Sequence, residues 1–425
     1  MRFYSVFVLW LSTFLYGGTV SLDVYSPAGS DQSCVKHVKT LLEATYRHYP
    51  SIHGSKQLLL GANAQVESAK WNYFPTPSVD TSQGAGNRYG ATLRLDQPLW
   101  TGGKLEALSD IAAARRDEAE YTLGESGYAL SEKFLSVLQN YVQADGEIRG
   151  FKEGQKQLER FSKMLDKRME AGVSSESDGE LLDSRIFQIE SDLIMAESRY
   201  EMARSQLELL IGQPVKCAIG FKKDRLLKQN MSLAQMKEAL VNTHPTLKKL
   251  QAQIGIAYAE KKSTDAVIMP NVSLRAEHQR GSLTEDHVPN KNLLYVALTF
   301  NPGAGLSSLS NMESAKYKIL QAKDALSTKE LELSDTLVTD YMNYRSAMNR
   351  MESTKRTIEA SEKVLDSYTR LFIAGKRQWL DLVNTSRDVT QNYISLATLR
   401  AMLITSSYRL ALQTGKIDFE LQGTR

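Results

Sequence analysis

The chain is poor in the residues that punctuate or staple a compact fold. Its 425 residues include 10 prolines and 2 cysteines. So few prolines, with long stretches free of them, favour long helices over a fold of many short strands. The cysteines, Cys34 and Cys217, are too few and too far apart for a disulfide scaffold or a metal-binding spacing. In an exported chain they can pair with each other or stay as thiols, and the sequence leaves both open. The histidines (His37, His48, His53, His244, His278 and His287) are scattered and form no ligand set. There is no phosphate loop, no Gly-x-Ser-x-Gly nucleophile site and no cysteine–histidine arrangement. No catalytic residue, metal or cofactor is therefore expected. A formal net charge of +3 gives no basic surface for nucleic acid. Beyond the N-terminus no apolar run reaches the length of a transmembrane helix. If this chain enters a membrane, it must do so with strands.

What is present begins with MRFYSVFVLWLSTFLYGGTVS. Arg2 precedes a short apolar run, Phe3 to Tyr16, and Thr19 and Ser21 suit cleavage. Residues 1–21 read as a secretory signal peptide. Cys34 stands well past that end, so it does not look like a lipidated N-terminal cysteine.

The remainder repeats itself. Pro50 and Pro75 bracket a helix-permissive stretch, and Pro245 and Pro270 bracket another at the same spacing. Each is followed by an alternating segment, a turn-rich patch and a second alternating segment, closed by Pro98 or Pro302. Then comes a long proline-free stretch, an Ala-Gly pair (Gly172, Gly375), and a further stretch ending at Gly212 or Gly415. The first repeat is read as 22–214, a linker as 215–234 and the second repeat as 235–425. Strands are expected at about 76–97 and 271–300, and long helical hairpins at about 104–212 and 304–415.

The long stretches carry apolar residues alternately three and four apart. Leu130, Phe134, Val137, Tyr141, Ala144, Ile148 and Phe151 lead to Leu158 and Leu165. Past the first turn, Leu182, Ile186, Ile189, Leu193, Ala196, Tyr200, Ala203, Leu207 and Leu210 continue the pattern. The second repeat is looser: Tyr341, Tyr344, Met348, Met351, Ile358, Leu365 and Phe372, then Val389, Leu396, Leu399, Leu403 and Leu410. This is coiled-coil periodicity, and the Ala-Gly turns fold each pair of helices into an antiparallel hairpin. Gly124, Gly127, Gly146, Gly150 and Gly154 disagree with a helix, each costing up to about 1 kcal/mol against alanine. Gly146, Gly150 and Gly154 share one face. Close approach of another helix and simple tolerance both explain them.

The four alternating segments suit either a membrane barrel, apolar out and polar in, or ordinary half-buried hairpins. Tyr89, Ala91, Leu93 and Leu95 point one way, while Gly90, Thr92, Arg94 and Asp96 point the other. Four strands cannot enclose a water-filled lumen, but three chains would supply enough.

With these features in order, the chain resembles the TolC family of outer-membrane channel proteins. The resemblance rests on Asp96-Gln97-Pro98-Leu99-Trp100-Thr101-Gly102-Gly103, Glu170-Ala171-Gly172 with Asp178, and Leu209-Leu210-Ile211-Gly212. It also rests on His244-Pro245 with Met269-Pro270, and Ile373-Ala374-Gly375 with Arg377 and Asp381. It implies a mainly α fold with a small β part. A homotrimer would share a 12-stranded outer-membrane β-barrel, four strands per chain, above a periplasmic α-barrel of helical hairpins. It implies outer-membrane lipid as surroundings, and as partners a periplasmic adaptor and an inner-membrane ABC or proton-driven exporter, docking at the tips marked by Gly172 and Gly375. By position, Asp178 and Arg377 look like a gate link, Phe372 stands where a tyrosine often holds the gate, and Asp381 matches a constriction aspartate. Asn384 stands where a second aspartate can occur. The unlipidated N-terminus leans toward type I secretion of protein, with small-molecule efflux as the alternative. A soluble periplasmic coiled-coil adaptor or scaffold also fits the heptads, but not the proline-bracketed strand pairs.

Overall fold

Two helical hairpins of unusual length form most of the molecule. The structure, a computed structural model, describes residues 24–25, 31–83, 89–220, 231–281, 290–301 and 307–416. The segment read as a signal peptide lies outside the described residues. Two short helices, α1 (Val38–His48) and α2 (Pro50–Trp71), precede strands β3 (Thr76–Gln83) and β4 (Tyr89–Trp100). The first hairpin follows as α3 (Lys104–Glu170) and α4 (Glu176–Ile211). The second half repeats the order: α5 (Leu233–Thr243), α6 (Pro245–Asp265), β6 (Asn271–Gly281), β7 (Lys291–Thr299), then α7 (Ser307–Ile373) and α8 (Trp379–Gln413). At 67 residues each, α3 and α7 are about 100 Å long. Among the described residues, no helix is long and apolar enough to cross a membrane.

The heptad stripes are what these helices bury. Leu130, Phe134, Val137, Tyr141, Ala144, Ile148, Leu158 and Leu165 are buried on α3, and Leu182, Ile189, Ala196, Ala203, Leu207 and Leu210 on α4. Each large side chain of this set contributes about 1.5–3 kcal/mol by leaving water. In α7 one position departs from the sequence reading. Met348 is 45% exposed, and the stripe runs Tyr344, Ala347, Met351 instead. A small alanine fits the narrow seam and the long thioether is turned out.

The glycine stripe also finds its reason. α3 lies against α8 as well as against α4. A β-carbon on Gly146 would sit 2.5 Å from Ala397 Cβ, and one on Gly154 2.5 Å from Thr390 Oγ1. On Gly150 it would come within 3.3 Å of Tyr393 Cβ. Close approach is therefore the reading that the structure supports. The glycines set the distance at which the two hairpins join. Since α4 packs on α3 and α7 on α8, helices α4 and α7 form the outer flanks of the protomer.

The main sheet is antiparallel in the order β3-β4-β6-β7. Its central pair comes from different repeats, with Leu95 opposite Ala276 and Arg94 opposite Glu277. One face carries exposed Val79, Leu93, Leu95, Leu294, Val296 and Leu298. The other carries ion pairs: Arg94 Nε to Glu277 at 2.7 Å and Arg275 Nε to Asp96 at 2.6 Å. The Tyr295 hydroxyl donates to Glu277 at 2.8 Å. Pro98 does not end β4. The register shifts between Pro98 and Trp100, and such an irregularity is where a strand accepts a residue without an N–H. Exposed Trp71, Tyr73, Phe74, Trp100 and Phe300 gather where the strands meet the helices. Gly102 (φ 61°) turns the chain there, and a β-carbon on it would lie 2.2 Å from Met269 Cβ.

A second sheet has no counterpart in the sequence reading. β1 (Val24–Tyr25), β5 (Cys217–Gly220) and β2 (Asp31–His37) stand in the order β1-β5-β2. β5 falls in the segment read as a linker. β1 and β5 are too short to show clear alternation.

At the α5–α6 junction His244 is 2% exposed and packs against Tyr128 with its ring tilted, centroids 4.4 Å apart. Its Nδ1 accepts the Thr246 N–H at 3.3 Å, and its buried Nε2 has no partner among the described residues. Burial is the main cause that lowers its pKa to about 4; Glu125 opposes the shift and Lys329 adds to it. The unfolded chain therefore takes up this proton first. Stability from His244 is complete above pH 6.5 and is lost as pH falls to about 4, amounting to about 3 kcal/mol. His244→Asn keeps a capping acceptor. It should remove this part of the acid destabilisation when denaturant midpoints at pH 7 and pH 4 are compared.

Candidate gate at the hairpin tips

Both hairpins turn by the same backbone device. Gly172 (φ 70°) and Gly375 (φ 73°) are left-handed, and a β-carbon on either would meet nothing within 4 Å. The conformation alone therefore requires glycine. Gly172 N–H donates to Met169 O at 2.9 Å and Val173 N–H to Arg168 O at 2.8 Å. Gly375 N–H donates to Phe372 O at 2.9 Å and Lys376 N–H to Leu371 O at 2.8 Å. These paired bonds are Schellman caps, which close a helix end and reverse the chain.

Behind the turns lies an apolar plug drawn from all four long helices. Phe161 and Leu165 of α3, Leu182 of α4, Phe372 of α7, and Trp379 and Leu382 of α8 are buried together. Trp379 meets Phe161 edge-on at 5.8 Å and Phe372 at 5.4 Å. Phe372 has no hydroxyl to bond with, but its backbone does the bonding. Arg168 Nη1 donates to the Phe372 carbonyl at 2.9 Å, and the guanidinium lies 4.5 Å over the Phe372 ring. Arg168 Nε also reaches Ser174 Oγ at 3.4 Å. One side chain of the first hairpin thus grips the second. Arg168 was not singled out from the sequence, where it is one of several basic residues before the turn.

The sequence-derived polar residues make their own contacts within one protomer. Asp178 accepts the Ser175 N–H at 3.3 Å and caps α4. Arg377 Nη1 binds Asp381 at 3.0 Å, its Nη2 donates to the Tyr368 hydroxyl at 3.0 Å, and it lies 4.2 Å over that ring. Among the described residues of one protomer, Arg377 and Asp381 meet, and Asp178 and Arg377 do not. Asp381 and Asn384 share a face of α8, each partly exposed. A guanidinium held against a carboxylate offsets its charge, and at partial exposure the pair is worth about 1 kcal/mol or less.

Arg168 and the apolar cluster tie the two hairpin tips together within one protomer. A family profile described as outer membrane efflux protein matches residues 44–213 and 236–416, one match per half. The chain belongs to the outer membrane efflux protein family. As a member it is a channel of the outer membrane that extends into the periplasm, and not an enzyme. A comparison with curated protein sequences finds no match. Among solved structures, the chain is similar to the channel protein CusC with a TM-score of 0.78 at 15% identity, over 92% of this chain and 95% of that one. VceC of Vibrio cholerae aligns with a TM-score of 0.75 at 14% identity, over 89% and 94%. The outer-membrane channel CmeC of Campylobacter jejuni aligns at 0.72 and 12%, over 88% and 85%. At such identities what these solved structures share with the chain is the fold.

Proposed function

We propose that three copies of this chain form the exit duct of a tripartite efflux pump, closed at rest by the hairpin tips. The observation that carries the reading is the pair of unsatisfied edges on one protomer. β3 and β7 are the bare outer strands of a four-stranded sheet, which cannot close around a lumen by itself. On the flanking helix α4, Phe187, Ile194, Met202 and Leu209 stand exposed in a row, two helical turns apart. Joining β7 to β3 and α7 to α4 of the next copy covers both edges at once. The apolar sheet face then meets lipid and the charged face lines the lumen.

A periplasmic adaptor and an inner-membrane pump are the partners this reading calls for. The family is one of efflux proteins, and this favours small-molecule efflux over type I secretion of protein as the cargo. Deletion of the gene should raise sensitivity to small toxic compounds and leave the secreted proteins unchanged. Retained resistance with lost protein secretion would reverse the assignment.

At the gate, Asp381 would ring the constriction, with Asn384 adding no charge beside it, and Arg377 would mask part of the Asp381 charge. Asp178 lies on the flank, so a link to Arg377 would form between neighbouring protomers. Asp381→Asn should lower the cation preference measured by reversal potential in a planar bilayer. Arg377→Ala should raise it by uncovering the carboxylate. No change in either variant would remove Asp381 from the constriction.

A further inference from the structure

We propose that Cys34 and Cys217 form a disulfide that fastens the N-terminal strand to the chain leaving the first hairpin. The strands that carry them, β2 and β5, are parallel neighbours. Their register sets His37 opposite Gly220, Lys36 opposite Ile219 and Val35 opposite Ala218. Continued one step further back along both strands, this register would bring Cys34 beside Cys217. Neighbouring strands run about 5 Å apart, within the α-carbon separation of about 4.4–6.8 Å that a disulfide requires. The pairing is irregular at this point: the residue aligned with Cys217 is Asp31, and the register shifts between it and Val35. β2 therefore bulges between Asp31 and Val35, against the first residue of β5. With β1 on its other side, β5 is the central strand of the sheet, so the bond would anchor all three strands. The chain contains no other cysteine, so within one protomer each has only the other to pair with.

The chemistry is that of an exported protein. Two thiols lose two electrons and two protons, and a protein-disulfide oxidant of the thiol oxidoreductase class accepts them to become a dithiol. The bond would close a loop that contains α1 to α4, and so restrict the unfolded chain. It would also hold strands of two, seven and four residues, shorter in sum than an isolated sheet usually needs.

The test is maleimide labelling of the detergent-extracted channel, alkylated at lysis and denatured, before and after reduction, followed by peptide mapping. The expected result is no label before reduction, two labels per chain after it, and a reducible peptide pair containing Cys34 and Cys217. Two labels before reduction, or a bond between separate chains, would overturn the proposal. Cys34→Ser supplies a second reading: Cys217 should then label without reductant, and the thermal midpoint should fall to that of reduced wild type. A wild-type midpoint indifferent to reductant would overturn the fastening role.

Discussion

Gly146→Leu is expected to destabilise the channel by about 3 kcal/mol or more per protomer. The first added carbon already lies 2.5 Å from Ala397 Cβ and 3.3 Å from Ala397 Cα. The second of these is backbone, so no rotamer change relieves it. α3 and α8 must separate, and they carry the contact that joins the hairpins. Leucine is the better helix former by roughly 0.8 kcal/mol, which is too little to offset an overpacked helix seam. Thermal dissociation of the extracted oligomer should therefore shift down sharply for Gly146→Leu. Gly61→Ala is the control, since nothing lies within 4 Å of the added atom. It should be neutral or slightly stabilising. Equal stability of Gly146→Leu and wild type would mean that the glycines are only tolerated weak points.

Arg168→Ala should open the tip. The arginine donates a charged hydrogen bond to Phe372 O at 2.9 Å and covers the Phe372 ring. A charge-assisted bond contributes about 1.5–3 kcal/mol. Even the lower end of that range is about a tenfold change in the closed-to-open ratio. With one latch per protomer the effect multiplies when the tips open together. Mean current in a planar bilayer should rise by tenfold or more. Arg168→Lys, with a single ammonium and no plane to stack, should fall between alanine and wild type. Unchanged conductance in Arg168→Ala would place the latch elsewhere.

Glycine and proline made much of the architecture readable. They act through the backbone, and so they mark the same place in both halves. Gly172, Gly212, Gly375 and Gly415 all have positive φ. Pro50 and Pro245 both begin helices. The heptads were readable because a long helix must bury a continuous stripe. Where side-chain size competes with period, the reading slipped, as with Ala347 for Met348 in α7. The gate was less legible. Its positions follow from the turns, but partners depend on which helices lie side by side. The family resemblance implied Asp178 for Arg377, a link between chains that one protomer does not test; within the protomer Arg377 has Asp381 one helical turn away. Arg168 acts on a carbonyl, and a carbonyl has no residue type to search for. The β1-β5-β2 sheet escaped notice because its strands are short and come from distant parts of the chain.

The account stands on closure of the wall by three copies. Mass measurement of the detergent-extracted protein, combined with single-channel recording on the same sample, tests this most directly. The prediction is a trimer that stays almost shut in wild type and conducts strongly in Arg168→Ala. A protein that leaves the membrane without detergent, runs as a monomer and gives no channel in either form would contradict it.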